Sequence, residues 1–409
     1  MGQPFPAADR PLLGLALALS LAAAVSLGVT RFAYGLLLPP MRADLQWSYT
    51  LAGAMNTANA LGYLGGALWT PRLLRLADPS RLLVAGCIVA ALLMGITGFL
   101  LDATLLLVQR LLAGAASAVL FVGGSVLAAR LGAMQPARGG LLLGIYYGGT
   151  GLGIVLSALA VPPVLEAATL RPHGWAWAWW LLALVSLAAT AVLVWPAREL
   201  GAAAAARDAR ATAATRTRFR WTQFAPALAA YFMFGLGYIG YMTFVIALLR
   251  EQGEGAARIT LFYALLGLAV MASSRVWAGL LDRAKGGEAL AVLSALLAAA
   301  TVLPAVTAWW PLLLLSGVLF GGVFLSLVAS TTALVRHNLP AAEWAAGISG
   351  FTIVFAVGQI LGPTVVGWIA DGPGGLARGL LFSAAALGVG AALAWRQQPL
   401  PAAAAMPAG

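Results

Sequence analysis

Blocks of about twenty apolar residues recur along this chain, each the length a helix needs to cross the hydrocarbon core of a bilayer. The first six lie at 12–38, 49–70, 81–101, 104–130, 139–165 and 175–195. A polar stretch rich in Arg, Ala and Thr follows, from Pro196 to Arg220. Six more blocks come after it, at 222–249, 256–281, 288–307, 310–335, 342–369 and 375–395. The pattern predicts an all-α membrane protein with twelve transmembrane helices in two sets of six: an N-terminal bundle over 1–195, a cytoplasmic linker over 196–220 and a C-terminal bundle over 221–409. Arg10 and the apolar run behind it resemble the start of a signal peptide, but the run is too long for one and reads as an uncleaved first span.

Composition removes the soluble alternatives. The 409 residues are 62% hydrophobic and 9% charged, against about 25% charged in a soluble domain. The net charge of +11 comes almost wholly from arginine, with Lys285 the one lysine. These cations sit in short loops and not on one soluble face, which argues against nucleic acid as a partner. Cys87 is alone, excluding an intramolecular disulfide or a Cys-based metal cluster. His173 and His337 are too few for a His-rich site. No cofactor, metal or catalytic group is expected, and no G-x-x-x-x-G-K-[ST] loop marks an ATPase.

Charge also sets orientation. With the N-terminus inside, sixteen basic residues fall on the cytoplasmic side (Arg10, Arg72, Arg75, Arg81, Arg130, Arg138, Arg198, Arg207, Arg210, Arg216, Arg218, Arg220, Arg283, Lys285, Arg336 and Arg396). Five fall outside (Arg42, Arg171, Arg250, Arg258 and Arg378). The positive-inside rule then puts both termini in the cytoplasm. Tryptophans gather near span ends, as interfacial belts, and Arg216 to Trp221 reads as an anchor to anionic lipid.

Three arginines remain inside spans: Arg31, Arg110 and Arg275. A charge at membrane depth costs roughly 2.5–3.5 kcal/mol on insertion scales, so it faces a cavity or a partner. Arg275 lies near a span end, where it can snorkel or pair with Asp282. Arg31 and Arg110 share a similar depth in the outer half of the first set. Asn56, Asn59 and Tyr63 fall at i, i+3 and i+7 on one helical face, ready to hydrogen-bond a substrate or to join neighbouring helices. The thirteen acidic residues all map to loops or span ends, so proton coupling through a mid-helix carboxylate has no obvious carrier; Asp102 and Glu343 are the nearest.

The two halves repeat. At a shift of 207 residues Gly28 meets Gly235, Arg31 meets Tyr238, Tyr34 meets Tyr241, Asp44 meets Glu251 and Gly151 meets Gly358; at 206, Arg130 meets Arg336. A duplicated six-helix unit is implied, with Tyr34 and Tyr241 facing each other across the pseudo-twofold axis. The chain resembles the major facilitator superfamily over essentially its whole length. Ala278-Gly-Leu-Leu-Asp282-Arg283-Ala-Lys285-Gly is similar to that family's cytoplasmic loop motif, and Gly66-Ala-Leu-Trp-Thr70-Pro-Arg72 is its first-half counterpart, with Thr for Asp. Arg110-Leu-Leu-Ala-Gly114 is similar to the R-x-x-x-G element of the fourth helix. Gly28-Val-Thr-Arg31-Phe-Ala-Tyr34 looks like an uncharacterised bacterial branch.

The resemblance implies a secondary transporter of the bacterial inner membrane working by alternating access, with the first and fourth helices lining a central cavity. Substrate-binding candidates are Arg31, Tyr34, Asn56, Asn59, Tyr63, Arg110, Tyr146, Tyr147, Tyr238, Tyr241 and Gln359. Gating candidates are Gly66, Asp282, Arg283, Gly148, Gly151, Gly358, Gly362 and Pro363. Gly358-x-x-x-Gly362-Pro363 is similar to an antiporter motif, but the fifth span has Gly149 where that motif has Pro. Two guanidiniums without a carboxylate suit a small organic anion. The alternatives are efflux of hydrophobic or cationic compounds by proton antiport, and a non-transporting membrane sensor. The expected partners are a small-molecule substrate, lipid and, as a candidate coupling ion, the proton; a monomer is expected.

Overall fold

The structure is a computed structural model that describes residues 10–135, 138–204, 221–340 and 343–400. Lipid offers the backbone no hydrogen-bond partner, so each span satisfies its own amides as a helix, and the described residues contain helices and turns but no strand. The first span is built from Arg10–Ala23, a π-helical turn series over Ala24–Phe32, and Tyr34–Asp44. The next five are Tyr49–Leu76, Pro79–Thr97, Ala103–Met134, Gly139–Ala167 and Trp175–Ala204. The second set comprises Ala225–Glu251, Ala256–Val276 with the short Ala278–Arg283, Glu288–Val306, Trp310–Asn338, Trp344–Ala370 and Gly375–Trp395.

Eleven of these twelve spans are long and apolar enough to cross a membrane. The second helix is the exception, its run diluted by Thr50, Asn56, Thr57 and Asn59 and by Arg72 and Arg75 near its end. It is held by neighbours instead, lying against the fourth and eleventh helices along much of its length.

Three boundaries differ from the sequence expectation. The first span continues past 38 to Asp44, running through Pro39 and Pro40 inside its last helical segment. The sixth helix runs on through Pro196 to Ala204, so the first part of the 196–220 segment is helical; the rest of it, up to Arg220, lies outside the described residues. The eighth span breaks at Trp277, whose indole donates to the Gly322 carbonyl at 2.7 Å. Arg275 and Asp282, on either side of that break, are both exposed and form no ion pair.

Within each half the central helices are backed by a third and sixth. The third packs on the fourth and sixth, and the ninth packs on the tenth and twelfth. The most extensive contact between the halves is made by three helix pairs: second with eleventh, fifth with eighth, and first with seventh. This seam runs from the terminal face of the bundle, where Arg10 and Leu400 lie, to the opposite, distal face, which carries the 45–48, 252–255 and 371–374 loops.

Candidate substrate site at the seam

The π-helical turns over Ala24–Phe32 are where the first span meets helices of both halves. Gly28 lies so close to the fifth helix that a Cβ there would sit 2.5 Å from the Cα of Gly153. The Thr30 hydroxyl donates to the Val25 carbonyl, five residues back, at 2.7 Å. Widened turns leave carbonyls for outside donors, and side chains supply them. Ser117 donates to Ser26 at 2.8 Å, Arg110 Nη1 to Thr30 at 3.0 Å, and the Tyr263 hydroxyl, from the eighth helix, to Phe32 at 2.7 Å. Such π-helical insertions concentrate at functional sites, and this one carries Arg31.

Arg31 is 3% exposed. Its Nη2 donates to Gln359 Oε1 at 2.9 Å, across the seam, and the Tyr238 hydroxyl donates to that same oxygen at 3.0 Å. The two repeat-related residues thus converge on one amide. The guanidinium carbon lies 5.9 Å from the centre of the Tyr63 ring, and Nε is buried without a hydrogen-bond partner. Gln359 is neutral, so the cation is solvated by an amide and a ring but not neutralised. Among the described residues no carboxylate pairs with Arg31 or Arg110.

Arg110 is placed differently. Besides its bond to Thr30, its guanidinium lies 4.9 Å from the Tyr34 ring centre and 5.7 Å from that of Trp179. All these partners belong to the first half, and Nε and Nη2 are buried without partners. The arrangement braces the first span against the fourth and sixth helices.

The remaining candidates divide in the same way. Tyr34 donates to the Ala52 carbonyl at 2.8 Å, while Tyr241 pairs with the Ser316 hydroxyl at 2.7 Å and stacks on Phe320 at 3.9 Å. Each hydroxyl turns into its own half, so the expected meeting across the axis does not occur: a nearby carbonyl or hydroxyl satisfies each one first. Asn56 and Asn59 also part company. Asn56 Nδ2 donates across the seam to Thr243 at 2.7 Å; Asn59 Nδ2 donates to the Arg110 carbonyl at 3.2 Å. Tyr146 is fully buried and donates to the Phe121 carbonyl at 2.6 Å, whereas its neighbour Tyr147 is 44% exposed.

The distal part of the seam is shut. A Cβ on Gly53 would overlap the Pro363 carbonyl oxygen. Thr57 donates to the Ile360 carbonyl at 2.6 Å and meets the Thr364 hydroxyl at 2.8 Å. Asp371, at the end of the eleventh helix, caps the second: it accepts from the Tyr49 amide at 2.7 Å, the Thr50 amide at 2.8 Å and the Thr50 hydroxyl at 2.6 Å. Tyr49 donates further to Glu251, and Arg42 lies 3.7 Å from its ring centre. Asp371, Thr57 and Thr364 are not among the residues the sequence singles out; loop aspartates and threonines beside a helix end carry no distinguishing mark.

Toward the terminal face the seam opens. Gly151 of the fifth helix lies against the Gly267 carbonyl of the eighth, with no room for a Cβ. One and two turns further toward the terminal face on that side of the helix, Gly148 and Gly144 meet nothing within 4 Å. The other gating candidates pack within halves: Gly66 against Ala115, and Gly358 and Gly362 against the seventh helix at Phe232 and Leu236. Asp282 and Arg283 are exposed on the terminal side.

Two six-helix bundles in a pseudo-repeat, sealed at one face and parted at the other around a buried cation, define a major facilitator transporter. The chain belongs to the family of the uncharacterised MFS-type transporter YbfB, whose model matches residues 23–395. No curated protein matches it. Its fold is shared with a bacterial homologue of the human lysosomal transporter Spinster in an inward-facing, occupied conformation (14% identity, TM-score 0.66, 97% of each chain covered). It is shared too with the nucleoside transporter NupG (16% identity, TM-score 0.67, 95% of this chain and 99% of that one) and with a point mutant of NupG (14%, 0.69, 93% and 98%). Family and fold make the protein a multi-pass membrane transporter and not an enzyme.

Proposed function

We propose that this secondary transporter moves a small organic anion by alternating access, with Arg31 as the residue that reads its charge. The observation that carries the reading is the state of the Arg31 guanidinium: buried at the seam, bonded to a neutral amide of the opposite half, and without a carboxylate. A cation so placed is costly, and an anionic substrate offsets that cost when it binds. The bonds to Gln359 and Tyr238 sit where both halves meet, so a ligand that takes over Arg31 also loosens a tie between the halves. Tyr63, Tyr238 and Gln359 complete the site; Arg110 and Tyr34 hold the first span in place behind it.

The excess of arginine on the terminal side favours the cytoplasm there. On that orientation the protein lies in a bacterial inner membrane with both termini inside, and the conformation described is open inward and sealed outward by Asp371, Thr57 and the Gly53–Pro363 contact. Reconstitution into liposomes tests the reading. Uptake or counterflow of small carboxylates is measured under imposed pH and potential gradients, for the native chain and Arg31→Gln. Carboxylate flux lost in the variant is the expected result; flux of every responsive compound unchanged by the substitution overturns it.

A further inference from the structure

Arg31 stands at the head of two aromatic walls, one on each half. On the first half, Tyr63 lies beside Phe121 at 6.5 Å between ring centres, and Phe121 lies 5.8 Å from Tyr146 and 5.9 Å from Tyr147. On the second half, Tyr238 stacks on Phe234 at 4.8 Å and on Phe355 at 5.5 Å; Phe355 stacks in turn on Tyr231 at 5.0 Å. The second-half rings are nearly parallel, with interplanar angles of 19° to 28°, so they form one offset stack, in which Tyr231, Phe234 and Tyr238 are buried and Phe355 is partly exposed. Along the seventh helix, Tyr231 precedes Tyr238 by seven residues, about 10 Å toward the terminal face. The walls therefore run from the cation toward the open end of the seam.

Ordinary core packing accounts for only part of this. Phe234 and Tyr146 are fully buried, as core rings are, but Tyr63, Phe121 and Phe355 are partly exposed and Tyr147 is 44% exposed. Tyr147 neighbours Gly148, on the stretch of the fifth helix that has parted from the eighth. The Tyr63 hydroxyl makes no hydrogen bond to a described residue, although its ring lies closest to Arg31. Partly exposed rings on both sides of the seam (Tyr63 and Phe121 on the first half, Phe355 on the second), beside a guanidinium whose Nε has no partner, present one charge site with an aromatic approach.

We infer that the substrate is a planar aromatic carboxylate, its anionic group at Arg31 and its ring between the partly exposed faces of Tyr63 and Phe355. The inference rests on the anion reading above and adds the apolar body to it. A carboxylate accepts two parallel bonds from a guanidinium, and offset or edge-on ring contacts favour an aromatic over an aliphatic body by about two- to tenfold per ring. A small hydrophilic anion would leave these faces wet.

Purified full-length protein in nanodiscs is titrated with benzoate, phenylacetate, hexanoate, acetate and benzamide, following thermal stabilisation and displacement of radiolabelled benzoate. Benzoate or phenylacetate is expected to bind at least about fivefold tighter than hexanoate, with acetate and benzamide weaker still. Phe355→Leu and Tyr63→Leu each lower the benzoate-to-hexanoate ratio by about two- to tenfold. Arg31→Gln abolishes binding of every acid, and Arg31→Lys, which keeps the charge, retains part of it and guards against a folding defect. Equal binding of hexanoate and benzoate that still depends on Arg31 overturns the aromatic inference and leaves the anion reading standing. Benzamide binding as well as benzoate, with Arg31→Gln indifferent, overturns both. So does the absence of any response to the acids.

Discussion

The seam between the halves behaves in opposite ways at its two ends. From Asp371 to Thr57 it is closed backbone to backbone, by a helix cap, two threonines and a glycine with no room for a Cβ. From Gly148 onward the fifth helix stands apart from the eighth, and the partly exposed groups on that side of Arg31 are rings. The lesson lies in the chemistry each end uses. The closed end relies on contacts that small side chains permit and that form only at close approach, so it is either fully made or fully lost. The open end presents broad apolar faces, which can cover a ligand or, in another state, the opposite half. Arg31 and Gln359 sit at the junction, and for that reason are placed to sense which end is shut.

The strongest test of the comparison acts at the junction itself. Arg31→Gln removes the charge and keeps an amide able to hydrogen-bond. Truncating one partner of a buried charged pair typically costs about 2–5 kcal/mol, so carboxylate transport in proteoliposomes is expected to fall by about a hundredfold. Both ends of the seam would remain as they are. A variant that transported normally would make Arg31 another brace, like Arg110.

Next in size is Gly53→Ala at the closed end. The new methyl meets the Pro363 carbonyl, which belongs to helix backbone and cannot turn aside. Overpacking of this kind costs about 1–3 kcal/mol, which should shift the population away from the closed distal seam by roughly fivefold to a hundredfold. A cysteine introduced at Thr57 would report it through labelling by a membrane-impermeant maleimide from the distal side. Gly148→Ala is the matched control at the open end. With nothing within 4 Å, it should leave labelling and transport unchanged in this state, and a large effect there would mean that the parted helices close tightly during the cycle.

The spans were legible from sequence because lipid leaves one solution for an apolar run: a helix about twenty residues long. The repeat was legible for a related reason, since Arg31 and Tyr238 fall at matched positions and converge on Gln359. The π-helical turns were not. Gly28 and Thr30 are ordinary in a helix, and the widened register depends on Gly153, Arg110 and Tyr263, which only the folded bundle brings together. The aromatic walls were half hidden for a different reason. In an apolar run a phenylalanine such as Phe121, Phe234 or Phe355 reads equally as lipid-facing or core, and no periodicity tells a seam-facing ring from either. The Asn56–Asn59–Tyr63 stripe reads as one face, yet a helix wedged between two neighbours gives residues three apart different partners.

A smaller effect is expected from Tyr238→Phe. It removes one of two donors to Gln359 Oε1 and leaves the stacked ring in place. A neutral hydrogen bond contributes about 0.5–1.5 kcal/mol, so the apparent affinity for a carboxylate should change by about two- to tenfold, with maximal flux nearly preserved. If flux collapsed as it does for Arg31→Gln, the second half would carry more than an orienting role.

The smallest effect is expected at Asp371, and its sign can be worked out. Partial burial pushes the pKa of this carboxyl group up, but the Thr50 hydroxyl, the amides of Thr50 and Tyr49 and the charge of Arg42 together outweigh it, holding the group below its usual range. The closed distal seam therefore binds fewer protons at this site than an open one in which the carboxylate faces water. A carboxylate lowered in this way stabilises the closed state fully above its ordinary value, near about pH 3.9, and loses that contribution as pH falls through the depressed value. Between about pH 5 and 8 the contribution is constant, so distal labelling at Thr57→Cys should be flat over that range and rise only below about pH 4. Asp371→Asn keeps one acceptor oxygen and removes the charge that suits a helix N-terminus. For so exposed a group the shift should be about fivefold or less, in the direction of more labelling, and independent of pH. A steep change in labelling between about pH 5 and 8 in the native chain that vanished in Asp371→Asn would instead make this cap a proton-sensing gate, and the closed end of the seam would then supply the acidic group that the spans lack.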